Sequence, residues 1–220
     1  MLELDHIFVC VPNERELNES LANSGLNLSA RRVHHGQGTA NRCAFFDNAY
    51  LEFLLRDRDE DLQSESVQSV SLWERMQWRN TRASPFGIAF RFVSNKHDFP
   101  VETRPYYAPF LPNGASIPVA TPFNSIQEPL IFFSLVTKKP IEKFALNSSS
   151  LEHRGSRHLL TKIEITSPYS NFSEQLQWFC REKLVYISQG KSHHAELELD
   201  NGREEQSLDF RPVLPLSIRW

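Results

Sequence analysis

Two polar residues stand inside otherwise apolar segments near the start of the chain, and their side chains could do chemistry. His6 lies in the segment 2–11, which is apolar on both faces of a strand, and Glu52 lies in the apolar run 50–55. An ionised carboxylate buried in this way is costly unless a cation, a metal ion or strong hydrogen-bond donors compensate it. Glu52 therefore indicates either a structural ion pair or a functional carboxylate, and this strand alone does not separate the two.

Composition and charge restrict the class of protein. The 220 residues are 40% hydrophobic and 23% charged, which is enough to build one large or two small hydrophobic cores. A net charge of -3 does not argue for nucleic acid, whose binders usually carry a basic face, and no apolar run approaches the ~18 residues of a membrane span. The acidic N-terminus is unlike a signal peptide. We therefore expect a cytoplasmic protein with neither a nucleic-acid nor a membrane partner.

The elements that must position the two residues begin with a predicted βαβββ unit over 1–56. Asn13 is placed to cap a helix after the first strand, and a Gly-rich turn and an Asp-Asn turn separate the strands that follow. In the strand 2–11, simple alternation places Leu4 on the same face as His6. The unit predicts that its first and last strands lie side by side.

The same order of elements returns at 157–220. The distance from His6 to Glu52 is 46 positions, and the distance from Lys162 to Asp209 is 47. Two units of nearly equal span, with polar residues at matching places in their first and last strands, indicate an internal duplication. We expect the strands that carry Lys162 and Asp209 to be neighbours as well.

Residues 57–156 are predicted to connect the two units. Eight of the thirteen prolines lie between 100 and 140, which predicts a long, stiffened loop that covers the cleft as a flap. The other elements predicted in this connection are a short helix at 71–79, strands at 87–93 and 130–136, and a linker at 147–157.

Three segments of the first unit resemble the glyoxalase-like proteins of the vicinal oxygen chelate superfamily. They are Leu4-Asp5-His6-Ile7-Phe8-Val9, His35-Gly36-Gln37-Gly38-Thr39-Ala40-Asn41-Arg42 and Tyr50-Leu51-Glu52. The resemblance implies an α+β fold in which paired βαβββ modules form a curved mixed sheet around a cleft. It further implies that a small molecule binds in that cleft.

The resemblance also implies one divalent metal ion, held by His from first strands and Glu from last strands. Residue by residue, His6 and Glu52 take the ligand positions of the first module, and Lys162 and Asp209 take those of the second. A protonated ammonium cannot coordinate a metal, so Lys162 departs from the pattern. Either His6 and Glu52 hold a metal ion with a further group, or Lys162 pairs with Asp209 or Glu52 and the cleft is free of metal.

An alternative pairing uses the strand 87–93 as the first strand of a middle module. That strand contributes Arg91 and no histidine, and His97 follows it in a predicted loop. Arginine forks bind carboxylates in a bidentate manner, so arginines near the cleft favour a small anionic ligand. The residues expected to bind substrate are His35, Asn41, Arg42, Arg91, Lys162, Asp209 and Arg211.

Three functions are compatible with these residues. The first is a metal-dependent enzyme of the lyase, isomerase or dioxygenase type, in which Glu52 moves a proton on a small oxygenated substrate. The second is a metal-free protein that binds or sequesters a small ligand, and the third is a dimeric scaffold with a degenerate site. The fold alone does not choose among them, because one fold hosts many chemistries.

Overall fold

The structure is a computed structural model of the chain. It describes residues 1–11, 13–94, 98–121, 125–134, 136–143, 151–153 and 157–220. His97 and most of the predicted linker at 147–157 lie outside these residues.

The larger of two β-sheets has eight strands in the order β2-β3-β4-β1-β5-β8-β7-β6. Its first half consists of β1 (Leu2–Val11), β2 (Arg32–His34), β3 (Thr39–Phe45) and β4 (Tyr50–Arg56). Its second half consists of β5 (Phe86–Phe92), β6 (Thr103–Tyr106), β7 (Ile117–Ala120) and β8 (Leu130–Ser134). The halves meet at a seam where β1 runs antiparallel to β5. Outward from this seam, each half has its first strand, then its fourth, third and second strands in chain order. The predicted α+β class with paired strand units is therefore confirmed.

The partner of the first unit in this sheet is the segment 86–134. The expectation that 157–220 supplies that partner is wrong, because those residues form a separate five-stranded sheet of order β10-β9-β11-β13-β12. Equal spacing along the chain does not determine which strands exchange hydrogen bonds. The domain limits at 56 and 156 stay a prediction. The smaller sheet consists of β9 (Leu160–Ser167), β10 (Tyr186–Gln189), β11 (His194–Leu199), β12 (Ser207–Asp209) and β13 (Leu216–Arg219).

The proline-rich region is more ordered than a long loop. Pro105 lies in β6 and Pro118 in β7, and the two residues face each other in that strand pair. Proline lacks the N–H that a central strand needs, so it is tolerated at a sheet edge. The strand β6 is the last of the eight, which explains how Pro105 is accommodated, and β7 pairs with β8 at Val119 rather than at Pro118.

Helices cover both faces of the larger sheet. Asn13 caps α1 (Glu14–Leu21) as predicted, because its Oδ1 accepts a hydrogen bond from the backbone N–H of Arg15 at 2.8 Å. The predicted helix after Ser71 is present, although the Ser71 side chain makes no capping bond. The remaining helices are α2 (Asp59–Leu62), α3 (Glu65–Gln68), α4 (Leu72–Met76), α5 (Trp78–Thr81), α6 (Pro140–Lys143) and α7 (Glu174–Arg181).

The helix α7, which lies between β9 and β10 in the chain, covers the second half of the larger sheet. Where the first half has α1 after its first strand, the described residues between β5 and β6 contain no helix. The ring of Phe179 in α7 instead stacks on Phe90 in β5, with ring centroids 4.7 Å apart, and also contacts Phe133 in β8. The two sheets thus share one hydrophobic core.

A β-bulge interrupts β1 beside its polar residues. Leu4 pairs with Phe90 and His6 with Ala89, so Asp5 is an extra residue with no partner across the strand pair. Leu4 consequently packs into the shared core, on the face opposite His6, and the predicted common face of these two residues is wrong. Bulges re-aim side chains in this way, and Asp5 and His6 point to the same side of the sheet although they are sequence neighbours.

Candidate functional site

A cavity of about 210 Å³ opens on the face of the larger sheet that carries His6. One wall is apolar and is formed by Phe8 together with Leu130 and Phe132 of the second half. The other wall is polar and comes from the first half and its turns. The polar side chains of that wall are His6, Arg32, His34, Gln37, Asn41, Tyr50 and Glu52.

His6 and Glu52 meet at the centre of the polar wall. Their strands, β1 and β4, are parallel neighbours, as the sequence predicts, and both residues are 7% exposed. The Nε2 atom of His6 lies 3.4 Å from Oε2 of Glu52. The Asn41 amide donates a hydrogen bond to the other oxygen, Oε1, at 2.7 Å, which leaves Oε2 facing His6.

Asp5 fixes the orientation of the His6 ring. Its Oδ2 lies 2.8 Å from Nδ1 of His6, and Arg91 donates a hydrogen bond to its Oδ1 at 3.3 Å. Burial raises the pKa of Asp5, but the hydrogen bond from His6 and the charge of Arg91 outweigh burial and hold that pKa below its ordinary value. An ionised Asp5 keeps a proton on Nδ1 of His6 and turns Nε2 toward Glu52.

A hydrogen-bond network closes the end of the cavity near the β2–β3 turn. Tyr106 donates to Oε1 of Gln37 at 2.8 Å, Gln37 donates to the Thr39 hydroxyl at 2.7 Å, and that hydroxyl lies 2.9 Å from Nδ1 of His34. Burial lowers the pKa of His34, although the charge of Glu52 acts in the opposite direction. The network ties the turn to the proline-rich strand β6. Gly38 permits this turn, because its φ of 76° is unfavourable for other residues and a Cβ there would overlap the backbone of Arg58.

Arg32 is the cation of the cavity wall, and sequence reasoning missed it. Its side chain is exposed at the cavity, and within the described part of the chain it has no hydrogen bond or ion pair. His34 also lines the cavity, whereas the predicted His35 is exposed elsewhere. Arg32 and His34 are two residues apart on β2 and therefore share a face, so strand alternation could have identified them together.

Of the predicted substrate-binding residues in the larger sheet, only Asn41 lines the cavity. Arg42 points away from it and donates to the Ser29 carbonyl at 3.1 Å and to Asn18 at 2.9 Å. Arg91 is buried behind the cavity wall, where it contacts Asp5. The alternation that places Asn41 inward necessarily turns its neighbour Arg42 outward.

Lys162, Asp209 and Arg211 lie on the smaller sheet or directly after its strand β12, and they do not line the cavity. Lys162 pairs with Glu164 at 2.8 Å, and Asp209 pairs with Arg211. The predicted pairing of Lys162 with Asp209 or Glu52 is wrong. Two strands, β11 and β13, separate the strand of Lys162 from that of Asp209.

The donor set does not complete the metal site that the resemblance implies. Among the described residues, no group of three or more His, Cys, Asp and Glu side chains is arranged to hold a metal ion. His6 and Glu52 supply two donors, whereas catalytic zinc sites usually have three protein ligands. The facing wall of Phe8, Leu130 and Phe132 offers no metal-donor atom.

In the described part of the chain, none of the helices has the length and apolar character needed to cross a membrane.

Comparison with known proteins shows what part of the chain and its fold are similar to. Residues 4–97 match the sequence profile of the glyoxalase-like domain, while no curated protein matches the chain. A hypothetical protein from Staphylococcus aureus shares the fold at 12% identity, over 100% of this chain and 99% of that chain, with a TM-score of 0.61. A hypothetical protein from Bacillus halodurans C-125 is 17% identical over 60% of this chain and 92% of that chain, with a TM-score of 0.40. A methylmalonyl-CoA epimerase variant from Streptomyces coelicolor, in complex with 2-nitronate-propionyl-CoA, is 16% identical over 60% of this chain and 94% of that chain, with a TM-score of 0.37. Residues 4–97 thus match a glyoxalase-like domain, which supports the resemblance of the first unit to the vicinal oxygen chelate superfamily.

Proposed function

We propose that the protein binds a small anionic molecule in its cavity and that Glu52 accepts a proton from the bound molecule. One observation carries the proposal. Glu52 is a buried carboxylate with one oxygen held by the Asn41 amide and the other directed toward His6. The guanidinium of the buried Arg91 is occupied by Asp5, Glu3 and a backbone carbonyl.

The walls of the cavity define the chemical class of ligand. A mostly apolar cavity with a few convergent polar groups is typical of a site for a small molecule. The free guanidinium of Arg32 offers a fork that matches a carboxylate. A volume of about 210 Å³ is small for a ligand cavity, which favours a ligand with a short chain.

The pair of His6 and Glu52 selects a hydrogen-bond donor on that ligand. With the Nδ1 proton of His6 directed at Asp5, both Nε2 and the Oε2 atom of Glu52 are acceptors. Two hydrogen-bond acceptors 3.4 Å apart repel each other unless a donor hydrogen lies near both atoms. A hydroxyl or an acidic C–H adjacent to the carboxylate of the ligand meets this need, and Glu52 is within reach to take its proton.

A metal-dependent enzyme is the second candidate. The observation that favours it is the Asp5 carboxylate on Nδ1 of His6, an arrangement common in histidines that bind metal through the other nitrogen. Only Glu52 joins His6 as a donor among the described residues, so this candidate requires a further ligand. Homodimer formation and a cytoplasmic location stay predictions.

Calorimetric titration with short carboxylic acids, with and without a 2-hydroxyl group, tests the proposal. We expect the hydroxy acids to bind more tightly. Arg32→Ala and Glu52→Gln should each weaken binding by about 1.5–3 kcal/mol, the range for hydrogen bonds to charged groups. The matched control is Arg31→Ala, which removes a neighbouring arginine that pairs with Asp57 outside the cavity.

Two results would contradict the proposal. One is the absence of binding for every acid, and the other is binding that neither Arg32→Ala nor Glu52→Gln weakens. Titration with Zn²⁺ and Mn²⁺ addresses the second candidate. Tight metal binding that disappears in His6→Ala would favour the metal-dependent enzyme.

A further inference from the structure

The guanidinium of Arg91 lies behind the cavity, in the seam between the halves of the larger sheet. Arg91 is 1% exposed and does not line the cavity. Its Nη2 donates to the backbone carbonyl of Asn48 at 2.6 Å and to Glu3 at 3.2 Å, and its Nη1 donates to Asp5 at 3.3 Å. Arg91 therefore joins β5, β1 and the turn before β4.

The bulge in β1 places Asp5 between this guanidinium and His6. In a regular strand, Asp5 and His6 would point to opposite faces of the sheet. The extra residue at the bulge turns both side chains to the same face, so that one Asp5 oxygen reaches Arg91 while the other reaches Nδ1 of His6. The chain of contacts from Arg91 to Asp5 to His6 ends at Glu52 in the cavity.

We propose that Arg91 is a positioning residue for the cavity, which acts through Asp5 to keep the proton of His6 on Nδ1 and the Nε2 lone pair turned toward the ligand. This inference rests on the proposed function, because it concerns the acceptor pair that the ligand meets. It assigns Arg91 to the orientation of a site histidine, whereas the sequence predicted that Arg91 touches the substrate.

The contacts of Asp5 explain why the guanidinium is needed. Asp5 is 3% exposed, and in the described part of the chain Arg91 is the only arginine or lysine with an ion pair to it. Without the guanidinium, Oδ1 of Asp5 loses this hydrogen-bond donor, and the carboxylate is free to turn away from Nδ1 of His6. His6 then lacks a fixed acceptor at Nδ1 and can carry its proton on Nε2, which removes one of the two acceptors from the cavity.

The test is the tautomer of His6, read by long-range ¹⁵N–¹H NMR of its ring in the ligand-free protein, at a pH of about 8 where an ordinary imidazole is neutral. We expect the Nδ1–H tautomer in the unmodified chain and in Arg91→Lys, which keeps the positive charge. We expect the Nε2–H tautomer to appear in Arg91→Met. The matched control is Lys139→Ala, which removes another cation that contacts Glu3 but makes no contact with Asp5.

Affinity provides the second measurement. With a short 2-hydroxy acid as the probe, Arg91→Met should weaken binding roughly tenfold, and Arg91→Lys should recover part of that loss. Because the tautomer is measured without ligand, the positioning role can be judged even when no acid binds and the proposed function fails.

Folding of the variants is controlled by a second substitution. If Arg91→Met does not fold, Asp5→Asn keeps the volume of the side chain and replaces a pure acceptor with an amide that can donate to Nδ1. The Nε2–H tautomer is expected there too. A folded Arg91→Met or Asp5→Asn protein with His6 still in the Nδ1–H tautomer would overturn the inference.

Discussion

Phe179→Ala should strongly destabilise the chain, because Phe179 is one of the two buried residues through which α7 covers the second half of the larger sheet. The ring is fully buried. It stacks on Phe90 at 4.7 Å between centroids and lies 6.2 Å from the ring of Phe133. The substitution removes these contacts and leaves a cavity where β5 and β8 meet the helix.

The magnitude follows from the burial and the aromatic contacts. Replacement of a buried phenylalanine by alanine costs about 3–5 kcal/mol of unfolding free energy. The total unfolding free energy of a domain is about 5–15 kcal/mol, so the substitution should remove a large part of it. With a urea m-value of roughly 2–3 kcal/mol per molar, the unfolding midpoint should fall by about 1–2.5 M.

Urea unfolding followed by circular dichroism and by tryptophan fluorescence measures this midpoint. The matched control is Arg181→Ala on the exposed side of the same helix, which should leave the midpoint almost unchanged. The reasoning would be refuted if Phe179→Ala shifted the midpoint no more than Arg181→Ala does. That result would mean that α7 does not pack on the sheet.

Three further predictions concern the cavity, the smaller sheet and pH. Gly87→Ala should cost about 1–3 kcal/mol in urea unfolding and weaken carboxylate binding, because a Cβ at this position overlaps the ring of Phe8 in the cavity wall; unchanged binding would contradict this packing. Lys162→Met should leave the urea midpoint unchanged, because the Lys162 pair with Glu164 is solvated, and a large loss would show that this pair is buried. Four histidines have pKa values lowered by burial in the folded state. As the pH falls through about 6.5, the unfolded state therefore binds more protons than the folded state does. The urea midpoint should consequently drop between about pH 7.5 and 5.5. His153→Gln should reduce that drop, and a midpoint that rises on acidification would contradict the sign. The four are His34, His153, His193 and His194.

The first unit could be predicted from the sequence because its signals are local. Asn13 caps α1, strand alternation is regular in β3 and β4, and the pairings of β1 with β4, β4 with β3 and β3 with β2 all lie within the first 56 residues. The same locality made the approach of His6 to Glu52 predictable. One exception is the bulge at Asp5, since a period of two residues carries no sign of an inserted one.

The second unit of the large sheet could not be predicted with the same means. Its strands β6 and β7 contain prolines, and its first strand has Arg91 where a ligand histidine was sought. The repeat of spacing in the last third was real but misleading. Lys162 and Asp209 occupy matching places along the chain, yet the sheet order that separates them depends on pairing between distant strands.

The position of α7 has a consequence for how the chain acquires its fold during synthesis. The strands β5 and β8 leave the ribosome well before residues 174–181. The face of these strands that contacts Phe179 therefore stays exposed until α7 has been synthesised. Contacts between such distant residues slow folding, because a long loop must close before they form. An exposed apolar strand is prone to aggregate during this interval. Nascent chains that end before Phe179 are therefore expected to need a chaperone, although every residue that lines the cavity has by then been synthesised.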